Sequence, residues 1–196
     1  MLPENIIFIA VLINLVAYFF YLKSILRGET KPNLVSWSLW ALAPFIAVFF
    51  QIKAGAGLSI LPVFMAGFGP LLVIILSIFK RNAYWKVSSF DIICGTFSFI
   101  ALLLYMFTHN LSISIIFAIL SDGLAAVQTV TKSWKFPETE TTYPYFAGFL
   151  GNILGLLIIK NWIFTIYSFG VYNIAVNAII IFSIYRKKIF KSKLNS

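Results

Sequence analysis

Residues 111–131 read LSISIIFAILSDGLAAVQTVT, an apolar stretch of transmembrane length with one carboxylate, Asp122, at its centre and Lys132 immediately after it. A helix needs about 20 mostly apolar residues to cross the hydrocarbon core of a bilayer. This stretch meets that need, and six more lie around it. Downstream run about Tyr143–Ile159 and Trp162–Tyr185; upstream run about Asn5–Leu22, Leu34–Ile52, Leu58–Phe79 and Ile92–Thr108. The 196-residue chain is 61% hydrophobic and only 11% charged, with mean hydropathy +0.95. Soluble globular chains hold about 25% charged residues, so lipid is the expected solvent. The fold expected is all-α integral membrane with seven transmembrane helices.

The charges support that count. The net charge is +9, and thirteen of the 15 basic residues fall in alternate connections or the tail. They are Lys23, Arg27 and Lys31; Lys80, Arg81 and Lys86; Lys132 and Lys135; and Arg186, Lys187, Lys188, Lys191 and Lys193. Only Lys53 and Lys160 stand on the other side. A missed or merged helix would scramble this alternation. The bias assigns the basic side to the cytoplasm, with the N-terminus outside and the C-terminus inside. A plasma membrane, or an inner membrane in a bacterium, is the expected location. Basic residues arranged in this way mark topology, so nucleic acid is not an expected partner. The polybasic tail 186–193 suits an anionic inner leaflet. The start, Met1-Leu2-Pro3-Glu4, carries no basic n-region, so the first span is expected to be retained.

Spacing along the chain suggests an internal repeat. Asn14 and Asp122 stand 108 positions apart, each near the middle of its span, and Pro44 and Asn152 stand 108 apart in the spans that follow. Each half also has a basic, Pro-containing connection, at Pro32 and at Pro137. The expected organisation is a three-helix repeat over 1–90, a linker helix over 91–110, and a second three-helix repeat with the basic tail over 111–196. An odd linker leaves the two triplets facing the same way, as parallel repeats do.

With this architecture the chain resembles the PQ-loop and SWEET-like transporter superfamily. The resemblance covers nearly the whole length: seven spans, two triplets and a linker. Locally, Val127-Gln128 followed by Lys132 keeps the Gln of the family's Pro-Gln pair but not the Pro, and the first helix has no Pro at all. The stretch 31–37, KPNLVSW, resembles the loop and second-helix start of such repeats. The resemblance implies a central cavity between the triplets, alternating access and a small polar solute as partner alongside the bilayer. It also implies Asn on the last helix of a repeat as a solute ligand, a role that Asn173 or Asn177 would fill.

Asp122 leads the candidate residues. A charge at the bilayer centre costs about 2.5–3.5 kcal/mol on insertion scales, so intramembrane acids face the bundle interior or water and are functional by default. A neutral Asp122 could donate a hydrogen bond or cycle a proton. Asn14, Asn152, Asn173 and Asn177 also fall near mid-span, and the last two, four apart, share one helical face. A shared polar solute site competes here with polar glue between helices, where such bonds contribute about 0.6–2 kcal/mol. Trp40 is a candidate to stack on a planar or sugar-like solute. Trp37, nearer the helix end, reads rather as part of an interfacial aromatic belt.

Gly151 and Gly155 form a small-xxx-small pair suited to close helix packing. Glu138 and Glu140, beside Lys132 and Lys135, read as a solvated charged loop. His109 lies in a polar break and Cys94 is the lone cysteine, so neither offers a metal or disulfide framework. No cofactor and no enzymatic constellation are expected: no nucleophile has a nearby base, and no Gly-rich phosphate loop is present. The expected function is transport of a small polar solute, with proton coupling through Asp122. The alternatives are a receptor or sorting protein on the same fold, or a non-transporting assembly protein. A homo-oligomer is compatible with all three.

Overall fold

The computed structural model describes residues 3–79, 85–107 and 110–194. Seven α-helices follow in chain order: α1 (Ile7–Leu26), α2 (Leu34–Lys53), α3 (Leu61–Phe79), α4 (Ser89–Phe107), α5 (Leu111–Lys135), α6 (Tyr143–Leu157) and α7 (Phe164–Leu194). Single 3₁₀ turns precede α1, α3 and α6, and no strand occurs among the described residues. Lys80, Arg81 and His109, and the C-terminal end expected for the fourth span at Thr108, lie outside the described residues.

The boundaries follow local chemistry. Asn33 caps α2, its Oδ1 accepting from the Val35 N–H at 3.1 Å, and Asn110 caps α5, accepting from the N–H groups of Ser112 and Ile113 at 2.9 and 3.2 Å. Ser88 and Asp91 form a reciprocal capping box on α4. Both α1 and α2 end in Schellman motifs. Gly28 and Gly55 take φ of +75° and +81°, and the N–H groups of Glu29 and Ala56 return to the carbonyls of Ser24 and Gln51 at 3.0 Å. α5 runs four residues beyond the apolar stretch, because Lys132 and Lys135 continue the helix and sit near its negative C-terminal end.

The chain folds as a helical membrane protein. Five stretches are long and apolar enough to cross a bilayer: Glu4–Leu26, Leu34–Lys53, Leu58–Phe79, Leu111–Lys135 and Phe164–Arg186. The described apolar part of α4, Ser89–Ile100, and the whole of α6 are shorter. The 15 residues of α6 rise only about 22 Å. The outer surface is what lipid requires: Phe8, Leu12, Phe19, Ile78 and Ile92 are among many large apolar side chains left exposed.

α3 packs against both α1 and α2, and α7 packs against both α5 and α6. The two groups meet where α1 lies on α6 and α2 lies on α5, while α4 rests on α5 and α2. Small residues permit these approaches. A methyl on Gly69 of α3 would overlap the Tyr18 ring of α1, and one on Gly155 of α6 would come within 3.1 Å of Pro62. The Gly151–Gly155 pair is thus a packing feature, as its spacing suggests.

The helix connections cluster at two ends. At the basic end the Lys31 N–H donates to the Thr139 carbonyl at 3.1 Å, the Trp85 N–H donates to the Pro32 carbonyl at 2.9 Å, and Asn33 Nδ2 donates to Asp91 at 2.7 Å. Three connections, α1–α2, α3–α4 and α5–α6, therefore meet there. At the opposite end Lys160 pairs with Glu4.

The basic end also corrects an expectation. Glu140 and Lys132 do not form a solvated charged loop. Their side chains are 0% and 2% exposed and pair at 2.6 Å. Lys132 Nζ also donates to the Lys31 carbonyl at 2.5 Å, and the Tyr21 hydroxyl donates to the other Glu140 oxygen at 2.7 Å. The ion pair therefore ties α1, the α1–α2 connection, α5 and the α5–α6 connection together.

Candidate solute cavity

At the centre of the bundle lies a cavity bounded by α1, α2, α3, α5, α6 and α7; among the described residues none of α4 lines it. Asn14 reaches it from α1, Trp40 from α2, Asp122 from α5, Asn152 from α6, and Asn173 and Asn177 from α7. All six residues expected from the sequence to form a site converge on this one space. Its volume is about 50 Å³, enough for a few water molecules.

Asp122 is 4% exposed. Two aromatic side chains fix its position: the Tyr172 hydroxyl donates to Oδ2 at 2.8 Å, and the Trp40 indole N–H donates to the Asp122 main-chain carbonyl at 3.3 Å. One residue back, the Ser121 carbonyl accepts from Ser98, which anchors α5 to α4 at the same level.

The amides share a pattern. Asn14 donates from Nδ2 to the Ala10 carbonyl at 2.9 Å, Asn152 to Gly148 at 2.8 Å, and Asn177 to Asn173 at 2.7 Å. Each acceptor lies four residues back on the same helix. Asn14 alone adds a bond across helices, to Ala147 at 3.4 Å. A backbone carbonyl accepts only, so the atom facing it must be the amide nitrogen. The three Oδ1 oxygens therefore face away from those carbonyls. Asn173 differs: its Nδ2 is buried and has no partner among the described residues.

Aromatic residues complete the wall. Trp37 and Trp40 meet edge to face with centroids 5.5 Å apart, and Trp40 meets Tyr145 in the same manner at 6.3 Å. Trp37 is 1% exposed and lines the cavity, so it does not belong to an interfacial belt. The Tyr21 ring packs tilted against it, with centroids 4.9 Å apart. Tyr18 and Tyr145 were not singled out by the sequence reading, yet both line the cavity. Helical spacing carries the signal: Tyr18 lies one turn from Asn14, and Tyr145 two turns from Asn152. Gln128, the retained member of the Pro-Gln pair, lies outside the cavity lining; it is buried against α2, with Ser36 Oγ 3.4 Å from its Oε1.

On the basic side of the cavity, Tyr21 and the Glu140–Lys132 pair form the next layer. On the other side, Ile7, Ala10 and Ile158 close together in an apolar cluster with Leu58 and Leu61. A search of family models, curated proteins and solved structures finds no match to this chain.

Proposed function

We propose that the protein is a transporter that moves a small polar solute across the membrane by alternating access, with the central cavity as the solute site. The observation that carries this reading is the convergence of Asp122 and four amides, drawn from four helices, on one interior space. Isolated polar residues in lipid serve readily as helix glue. Glue, however, bonds across helices, and here Asn152 and Asn177 each spend one amide hydrogen on their own helix. Both residues line the cavity, and their remaining polar capacity is available there.

The architecture suits alternating access. The two triplets are read as parallel repeats, α1–α3 and α5–α7, with α4 as linker. Exchanging α1 with α5, α2 with α6 and α3 with α7 maps every principal packing between these helices onto another. The α1–α3 contact becomes α5–α7, α2–α3 becomes α6–α7, and α1–α6 becomes α5–α2. The 108-residue offset of Asn14 and Asp122 fits the same exchange. A site between two such units can open to either side as one rocks against the other. By the positive-inside rule the basic end faces the cytoplasm, so the Lys132–Glu140 layer is the inner closure and the Ile7–Ile158 cluster the outer one. Asp122, as an intramembrane carboxyl, is the group through which a proton would couple.

The test is solute counterflow in proteoliposomes, using a labelled panel of small polar solutes with and without a proton gradient. Wild type is expected to accumulate at least one solute, and Asp122→Asn to lose most of that uptake or its response to the gradient. Absence of counterflow for every solute would favour a receptor or assembly role.

A further inference from the structure

We infer that the cavity selects a small organic cation, an amine or quaternary ammonium compound lacking a carboxylate of its own. This rests on the reading of the cavity as a solute site and adds the chemical class it takes.

The argument is one of sign. Among the described residues the cavity wall carries one carboxylate, Asp122, and no lysine, arginine or histidine. The buried base among the described residues, Lys132, lies ten residues further along α5, about 15 Å away by helical rise, and is committed to Glu140. Nothing in the wall can neutralise an anionic solute or the carboxylate of a zwitterion. A desolvated charge without a counter-charge is costly, so both are disfavoured.

The hydrogen-bond inventory points the same way. Asn14, Asn152 and Asn177 line the cavity and have each turned one amide hydrogen to their own helix, which keeps their carbonyl oxygens available to accept. Pro70 has no N–H to offer the Ala66 carbonyl one turn back, and Ala66 also lines the cavity. Together with the Asp122 carboxylate these are acceptors, and an ammonium group is all donor. The unpartnered donors include the buried Asn173 Nδ2, the Trp37 indole N–H and the Tyr145 hydroxyl, besides the second amide hydrogens of Asn152 and Asn177. They are neutral and suit a hydroxyl or ether on the same solute. Trp37, Trp40, Tyr18 and Tyr145 add ring surface, whose negative faces attract a desolvated cation. The small volume fits a compact ammonium head group better than a sugar ring.

Four probes of nearly equal size separate the classes: ethanolamine (cation), ethylene glycol (neutral), glycine (zwitterion) and glycolate (anion). Thermal unfolding of the purified protein is followed with each, since a ligand of the native state raises apparent stability. Ethanolamine is expected to raise the melting temperature by about 2–4 °C at saturating concentration, and the other three to leave it unchanged. Asp122→Asn should abolish the ethanolamine shift. Asn177→Leu serves the same purpose if that variant does not fold. An equal or larger shift with the neutral, zwitterionic or anionic probe, lost in the same variants, would overturn the cation assignment and leave the cavity a solute site. An ethanolamine shift that survives both variants would place the binding elsewhere and overturn the assignment. No shift with any probe would overturn both the assignment and the solute-site reading.

Discussion

At the scale of single residues, the Glu140–Lys132 pair matters as much as the cavity. Both side chains are buried, so removing one charge strands the other. Breaking a buried pair in this way costs about 3–5 kcal/mol, whereas replacing both partners with apolar residues is often close to neutral. Glu140→Gln is therefore expected to lower the thermal stability of the purified protein sharply, and Glu140→Leu with Lys132→Met much less. Equal loss in the two proteins would mean that the ion pair does not govern this end of the bundle. The pair was illegible in the sequence for a physical reason. Lys132 and Glu140 are eight positions apart across a helix end and a 3₁₀ turn, and two opposite charges at such spacing usually sit in water. What buries them comes from far along the chain: Tyr21 on α1 and Lys31 in the α1–α2 connection, more than a hundred residues earlier. The candidate residues of the cavity were legible because a polar side chain inside an apolar span stands out. Tyr18 and Tyr145 were not, since an aromatic residue suits a lipid-facing position as well as a cavity.

At the scale of helices, the spans emerge from hydropathy with boundaries shifted by a few residues. The largest differences are at the ends of α1, α5 and α7, where polar and charged residues extend a helix past its apolar run. Which helices touch is set by features that hydropathy averages away. Gly69 allows Tyr18 to cross α3 directly above its backbone. Gly69→Ala is expected to push the ring aside, at a cost typical of overpacking, about 1–3 kcal/mol. Tyr18→Ala should relieve most of that penalty, so a double-mutant cycle followed by thermal unfolding should show strong coupling between the two sites. Additive effects would indicate that α1 and α3 do not depend on this contact.

At the scale of the whole molecule, six helices surround one polar space while the seventh, α4, stands outside it. The layers on either side of the cavity differ in kind. One is an ion pair with tyrosine; the other is aliphatic. A transporter requires two closures that open in turn, whereas a receptor facing one side does not. Alternating access requires that a single cavity be reached from both faces of the membrane in turn. Ala66 lines the cavity and accepts a small substitution, and Cys94 is the sole cysteine. In a Cys94→Ser background, Ala66→Cys in sealed vesicles of known orientation can be exposed to a membrane-impermeant thiol reagent from either side. Alternating access predicts modification from the outside and, separately, from the inside, with both slowed by a bound solute. Modification from one side only, or from neither, would contradict it.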